Sequence, residues 1–230
     1  MLAAEEISAS DASRETTDDC IVATSSTAGA IARDPETGCV AAILGRPRWS
    51  NGSARRLADE RGDAVALLAR YRERGSEVLQ DVQGNFAAVL VDPREKYVLV
   101  ALDRTGTERM CFAQVAGALV FSTSARAVAR HIDQAAPINR QATFEYLYCH
   151  MVPSPDTAFS GVEKLLPAEC LEMRGAALTR RFYWQLAYDT SGIGSEAEMK
   201  KRFLDLTRQA VERQLDQRPT GAFLSGGTDS

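Results

Sequence analysis

Val82-Gln83-Gly84-Asn85-Phe86-Ala87-Ala88-Val89-Leu90-Val91, then Asp92-Pro93-Arg94-Glu95-Lys96, then Tyr97-Val98-Leu99-Val100-Ala101-Leu102, is the stretch that decides the fold. Two apolar runs of strand length flank a short turn rich in charge and carrying a proline, which predicts strands over 85–91 and 97–102 joined as a hairpin. A second hairpin is predicted over 110–115 and 118–122, turning at Ala116-Gly117, and a third over 171–173 and 178–183, turning at Arg174-Gly175. Upstream, Cys39-Val40-Ala41-Ala42-Ile43-Leu44 reads as a buried strand after the turn Asp34-Pro35-Glu36-Thr37-Gly38. Helices are predicted over 62–80, with Asp63 as N-cap and Val65, Leu67, Leu68 and Tyr71 at helical spacing, and over 124–131 and 141–149. Hairpins with helices interspersed predict antiparallel sheet layered with helices, an α+β architecture.

The flanks have a different texture. Residues 1–19 are rich in Ser, Thr, Ala, Asp and Glu and read as a disordered leader. Residues 190–195 read as a linker between a domain over 20–189 and a segment over 196–230. In that segment an amphipathic helix is predicted to residue 215, with Met199, Phe203, Leu206, Ala210 and Val211 on one face.

Bulk properties exclude several function classes. The net charge of −4 and scattered Lys and Arg leave no footprint for nucleic acid or an anionic membrane. No apolar run reaches membrane-spanning length and no basic-then-apolar N-terminal pattern marks export, so a cytoplasmic location is expected. The five cysteines form no CxxC pair or Cys/His cluster, which argues against zinc and for buried free thiols.

The chain closes on Gly221-Ala222-Phe223-Leu224 and Ser225-Gly226-Gly227-Thr228-Asp229-Ser230. A strand running into such a loop brings backbone N–H groups to a phosphate, with serine hydroxyls as donors and an Asp for magnesium. A plain Gly/Ser turn reads equally well from these residues alone.

Gly221 through Ser230 resembles the pyrophosphate loop of the ATP-pyrophosphatase superfamily, which includes asparagine synthetases. The resemblance runs upstream through Val82-Gln83-Gly84-Asn85-Phe86-Ala87, Leu102-Asp103-Arg104-Thr105-Gly106, Leu119-Val120-Phe121-Ser122-Thr123-Ser124, Val162-Glu163-Lys164-Leu165-Leu166-Pro167 and Phe182-Tyr183-Trp184. It implies an N-terminal-nucleophile αββα sandwich of the class II glutamine amidotransferase type, followed by the first helix and strand of a truncated ATP-pyrophosphatase domain. It implies ATP and Mg²⁺ as cofactors of the full-length enzyme, neither binding well to this fragment. Leu224, Ser225, Gly226, Gly227, Asp229 and Ser230 would hold ATP, and Asp229 the metal. Gly45 and Asp63 fall at glutamine-binding positions.

Departures from the family pattern are local. Its N-terminal Cys-Gly-Ile is absent, and Cys20 takes the nucleophile's role only if a leader is removed; the alternative is a buried strand cysteine. Leu44-Gly45-Arg46-Pro47-Arg48-Trp49 stands where the family has Asn-Gly-Glu; the nearby Asn51-Gly52 reads as a plain turn, and Val65 replaces a Glu. The family implies an ATP-dependent amide-forming ligase, by default making asparagine from aspartate, with a degenerate glutaminase domain. A lasso-peptide cyclase or β-lactam-synthetase-like enzyme using an internal amine is the alternative, and a non-catalytic structural domain the third. Expected partners are a small-molecule or peptide carboxylate, ATP and glutamine, with a homodimer left open.

Overall fold

The computed structural model describes residues 12–17, 20–25, 29–189, 191–192, 194–215, 220–222 and 226–227. In chain order the elements are β1 (Ala12–Thr16), β2 (Ile21–Ser25), β3 (Gly29–Arg33), β4 (Val40–Trp49), α1 (Gly52–Arg61), α2 (Asp63–Arg74), a 3₁₀ segment (Gly75–Asp81), β5 (Val82–Asp92), β6 (Tyr97–Leu102), β7 (Cys111–Val115), β8 (Ala118–Ser122), α3 (Ala125–Ile132), α4 (Arg140–Cys149), β9 (Glu163–Lys164), β10 (Glu169–Arg174), β11 (Ala177–Phe182) and α5 (Glu196–Glu212). They fall into two units, Met1–Gln185 and Leu186–Ser230.

The predicted hairpins form and join into larger sheets. Six strands run in the order β11-β10-β6-β5-β4-β3, and three in the order β8-β7-β9. Every pairing is antiparallel. Successive side chains of a strand point to opposite faces, and here both faces are buried. Cys39, Ala41 and Ile43 of the β4 region, with Phe86, Ala88 and Leu90 of β5, pack with Ala54 of α1 and Leu67 and Leu68 of α2. The intervening Val40, Ala42, Ala87, Val89 and Val91 pack with Phe112 and Phe121 of the smaller sheet. That sheet turns Cys111 and Ala113 toward Val128 and Ala129 of α3. Helix, sheet, sheet and helix therefore stack as an αββα sandwich. A strand between two apolar layers has no solvent face, which is why 86–91 reads as an unbroken apolar run.

Four expectations need correction. Residues 12–16, placed in the leader, form β1 and pair with β2 from Ala12↔Ser25 to Thr16↔Ile21; residues 1–11 lie outside the described residues. The helix expected over 62–80 stops at Arg74 and continues as the 3₁₀ segment, because Gly75 caps the α2 end through its N–H to the Tyr71 carbonyl. Gly62, not Asp63, occupies the N-cap of α2. The Asn51-Gly52 turn is the start of α1, with the Asn51 side chain accepting from Ser53 N (3.0 Å) and Ala54 N (3.1 Å). Helix α1 buries only Ala54, so it carries little apolar periodicity to betray it.

In the second unit α5 opens with a capping box, Ser195 with Glu198. Its Phe203, Leu206 and Val211 are exposed. No helix among the described residues is long and apolar enough to cross a membrane.

Two carboxylates hold the helix layer in place. Asp81, buried at the end of the 3₁₀ segment, accepts from Arg70 Nε (2.9 Å) and Nη2 (2.5 Å) and from Arg74 Nη1 (2.9 Å). Its carbonyl accepts from Ser50 N at 2.9 Å, tying this corner to the end of β4. Asp34, in the β3–β4 turn, accepts from the Thr37 hydroxyl, from Arg72 and from Glu36 N. The Thr37 hydroxyl first, and then Arg72 against opposing desolvation, hold its pKa at about 2, below the ordinary 3.8.

Replacing Asp81 by Ala breaks the buried pair and leaves Arg70 only the more exposed Glu73, at a cost that approaches the roughly 3–5 kcal/mol of a broken buried pair. Chemical denaturation of Asp81→Ala reads this directly, and a loss of a few tenths of a kcal/mol would deny Asp81 a fastening role. For Asp34 the folded-state pKa is depressed, so its contribution is full above the unfolded pKa and disappears as pH falls through the folded one. The stability gap between wild type and Asp34→Asn is expected to be constant at neutral pH and to close between roughly pH 4 and pH 2. A gap independent of pH in urea titrations across that window would contradict this.

Candidate functional site

Strand β4 continues past Leu44, but β3 does not, its last partner there being Gly29. Among the described residues, β4 from Gly45 onward pairs with β5 alone, through Arg46↔Asn85, Pro47↔Gly84 and Trp49↔Val82. Pro47 lies in this stretch, where among the described residues no second ladder calls on its missing N–H. Gly45 (φ +95°) and Gly84 (φ +80°) face each other diagonally across the ladder. A Cβ on Gly45 would lie 2.5 Å from the Asn85 carbonyl oxygen, and one on Gly84 2.6 Å from that of Arg46. Both positions thus need glycine for backbone conformation and for close approach.

The loop after β6 packs over this edge. Asp103 is fully buried and accepts from the N–H groups of Thr105 (3.0 Å), Thr107 (3.2 Å) and Glu108 (2.9 Å) and from the Thr105 hydroxyl (2.9 Å). Its own backbone joins Phe86 O (2.9 Å) and Ala168 N (2.8 Å). This wrapping sets Glu108 beside Gly45, with Oε1 2.8 Å from where a Cβ would stand. Arg46 and Arg48 are exposed on the same edge.

Asp63 begins α2 a short way off, half-buried. Its Oδ1 accepts the indole N–H of Trp49 at 2.8 Å, and Trp49 is buried. A carboxylate at a helix start suits a substrate ammonium, yet this one is bonded by a side chain of its own protein. Leu44, on the other side of Gly45, offers no donor to a developing oxyanion.

The structure keeps Cys20 away from this edge. Cys20 lies in the turn between β1 and β2, its carbonyl accepting from Thr17 N (2.8 Å) and Thr17 Oγ1 (3.3 Å). It lines a cavity with Val91 and Val98, whereas Gly45 pairs with Phe86. Five residues of strand separate Phe86 from Val91, about 16 Å at the usual rise. Gly45 and Asp63 share one region of the sandwich, and Cys20 belongs to another. It is a half-buried turn residue, not the buried strand cysteine of the alternative reading.

Cys39, Cys111 and Cys170 are buried, and Cys149 is exposed, against the expectation of buried thiols throughout. Burial pushes the Cys111 thiol up to about 11 and that of Cys170 to about 12, which makes both poor nucleophiles. Of the ATP-loop residues, Gly226 and Gly227 form a bend, while Leu224, Ser225, Asp229 and Ser230 lie outside the described residues. Among the described residues no cluster of three His, Cys, Asp or Glu could hold a metal. The partners of Trp49 and Glu108 left no trace in the sequence, since Trp49 and Asp63 are fourteen residues apart with a whole helix between them.

A family model for the glutamine amidotransferase domain matches residues 53–184. The chain belongs to that family. It is similar to putative asparagine synthetase (glutamine-hydrolyzing) 2 of Methanocaldococcus jannaschii, with 24% identity over 73% of this chain and 33% of that protein. It is also similar to asparagine synthetase (glutamine-hydrolyzing) 3 of Bacillus subtilis, with 27% identity over 73% of this chain and 28% of the relative. The chain therefore spans a third or less of these relatives. Among solved structures, the glutamine phosphoribosylpyrophosphate amidotransferase of B. subtilis aligns with a TM-score of 0.40 and 14% identity, over 68% of this chain and 32% of that one. The family match includes Asp63 and begins after Cys20 and Gly45.

Asp63→Ala is expected to strand the buried Trp49 N–H at a cost of about 1–3 kcal/mol in unfolding free energy. A Trp49→Phe background, lacking the donor, should absorb most of that loss. Equal losses in both backgrounds would show that the bond contributes nothing.

Proposed function

We propose that this chain is the glutaminase-derived part of an asparagine-synthetase-type, ATP-dependent amide ligase, and that its glutamine site no longer hydrolyses glutamine. The observation that carries the reading is the Trp49–Asp63 hydrogen bond, which engages Oδ1 of the carboxylate at the position where the family resemblance would bind a substrate amine. Leu44 in place of a side-chain amide, and Cys20 on the far side of the strand pair, support it.

In such a ligase a carboxylate oxygen of the substrate attacks the α-phosphorus of ATP, and pyrophosphate leaves. The nitrogen of an amine then attacks the acyl carbon, loses a proton and expels AMP, forming the amide. With glutamine hydrolysis gone, the nitrogen comes from free ammonia or from an amine within the substrate. The second source is that of a peptide cyclase or β-lactam-synthetase-like enzyme.

The test uses the natural full-length protein with ATP, magnesium and aspartate, supplied with either ammonium chloride or amide-¹⁵N-labelled glutamine. Pyrophosphate release with ammonia and no ¹⁵N transfer from glutamine is the expected result for an ammonia-using ligase. AMP formation only with a substrate carrying its own amine would select the cyclase-like reading. Labelled asparagine formed from glutamine would overturn the loss of glutaminase activity.

A further inference from the structure

The end of the sandwich remote from Trp49 is open. Three hairpin turns meet there, at residues 93–96, 116–117 and 175–176, with the β1–β2 turn on a further side. Gly175 N donates to Lys96 O at 3.0 Å and Gln114 Nε2 to Ala176 O at 3.3 Å, so the turns hold one another at a fixed spacing. Between them lies a cavity of about 330 Å³. Its walls are Val91, Val98 and Met173 from the large sheet and Leu119 and Phe121 from β8.

These apolar side chains are not fully used by the fold. Val98 and Leu119 are half-buried, although Val100 and Phe121 on the same strands are buried. The two sheets separate before their apolar faces run out. A preformed apolar space with a few polar groups at its rim is the usual form of a small-molecule site. At this rim stand Lys96 and His131. Among the described residues the acidic group there, Asp92, is buried and already accepts from the Tyr71 hydroxyl (3.1 Å) and from Arg94 N (3.1 Å) and Glu95 N (3.3 Å). Lys96 is held with φ +47°, the left-handed turn conformation that fixes its backbone at the cavity edge.

We propose that this cavity binds a monocarboxylate with an unbranched apolar chain, the chain lying between the sheets and the carboxylate meeting Lys96 and His131. The space equals about eleven waters at their liquid volume, which suits a medium-length acyl chain and excludes a long one. Each buried methylene then tightens binding about fourfold.

Calorimetric titration of the intact chain with hexanoate, octanoate, octanol and octylamine tests this. Octanoate is expected to bind on the order of fifteenfold more tightly than hexanoate, from two methylenes, and more tightly than octylamine. Leu119→Trp, which fills the cavity, should abolish octanoate binding. Lys96→Gln should weaken octanoate several-fold and leave octanol unchanged. A local readout stands apart from the folding of any variant: octanoate should slow iodoacetamide alkylation of Cys20 on the cavity wall and not that of exposed Cys149, as followed by peptide mass spectrometry. No heat with octanoate, no dependence on chain length, equal binding of octylamine, or unprotected Cys20 would each overturn the proposal.

Discussion

The pairing of β4 with β5 runs for ten residues, from Val40↔Val91 to Trp49↔Val82, with apolar layers against both faces of its first half. Apolar burial drives this assembly, at roughly 25 cal/mol for each Å² removed from water. Yet burial on two faces creates a difficulty of its own. A one-residue slip moves every side chain to the opposite face, and here the opposite face is also apolar, so hydrophobicity alone punishes a slip weakly. Size and polar ends supply the missing specification. Phe86, Leu90 and Trp49 need the depth beneath α2, while Ala87 and Val89 fit the closer gap to the second sheet. At the ladder's end, Gly45 and Gly84 permit a backbone approach that no other residue pair would, so a slipped register would collide there.

Carboxylates finish what packing begins, and each does so at a reversal of the chain. Asp34 closes the β3–β4 turn, Asp81 the corner before β5, and Asp103 the loop after β6. Asp63 fastens the first turn of α2 to the last residue of β4. Asp34, Asp81 and Asp103 engage both oxygens with donors of the chain itself, and Asp63 engages Oδ1. A carboxylate so engaged is poorly placed for acid-base work, since releasing it for a substrate means unpairing a partly buried donor. Asp63, which the resemblance puts at a glutamine-binding position, also fastens α2 to β4. At this edge Glu108 owes its place to the loop that Asp103 builds, and Arg46 and Arg48 owe theirs to pairing with Asn85 and Gln83.

Those features were unequally visible in the sequence. The β5–β6, β7–β8 and β10–β11 hairpins were legible because each joins two apolar runs across a turn whose chemistry is local. Helix α3 and helix α4 were legible for a similar reason, with Ser124 and Asn139 accepting from their own first turns. Strands β1 and β3 were not: Ala12-Ser13-Arg14-Glu15-Thr16 and Gly29-Ala30-Ile31-Ala32-Arg33 have little intrinsic β-preference, and pairing with neighbours decides them. Helix α1 hid behind a charged surface with one buried alanine. Of the site, the glycine and the aspartate could be placed by resemblance, but the Trp49 indole could not, because its partner is set by how β4 ends and α2 begins. Cys20 was misread as a strand residue for the same reason, its turn being defined by a β1 that the sequence does not announce.

The residues that carry the resemblance prove to be those that build the scaffold. Phe86 is buried beneath the helix layer, and its ring meets that of Tyr183 at 6.5 Å. The Tyr183 hydroxyl donates to Leu102 O at 2.8 Å and its N–H to Ala168 O at 3.0 Å. Asp103 joins the same cluster through Phe86 and Ala168. These contacts close a ring from β5 through β6 to the chain after β11, and none of them involves the edge formed by Gly45, Arg46 and Arg48. The scaffold contacts and the edge side chains are distinct sets, joined where Gly45 pairs with Phe86 and where the Asp103 loop sets Glu108. Folds host different chemistries by this separation. The family model matches the part of the chain that holds this ring, residues 53–184, and begins after the edge residues Gly45, Arg46 and Arg48. The apolar space at the opposite end lies among turns that the ring of contacts through Phe86, Tyr183 and Asp103 does not reach.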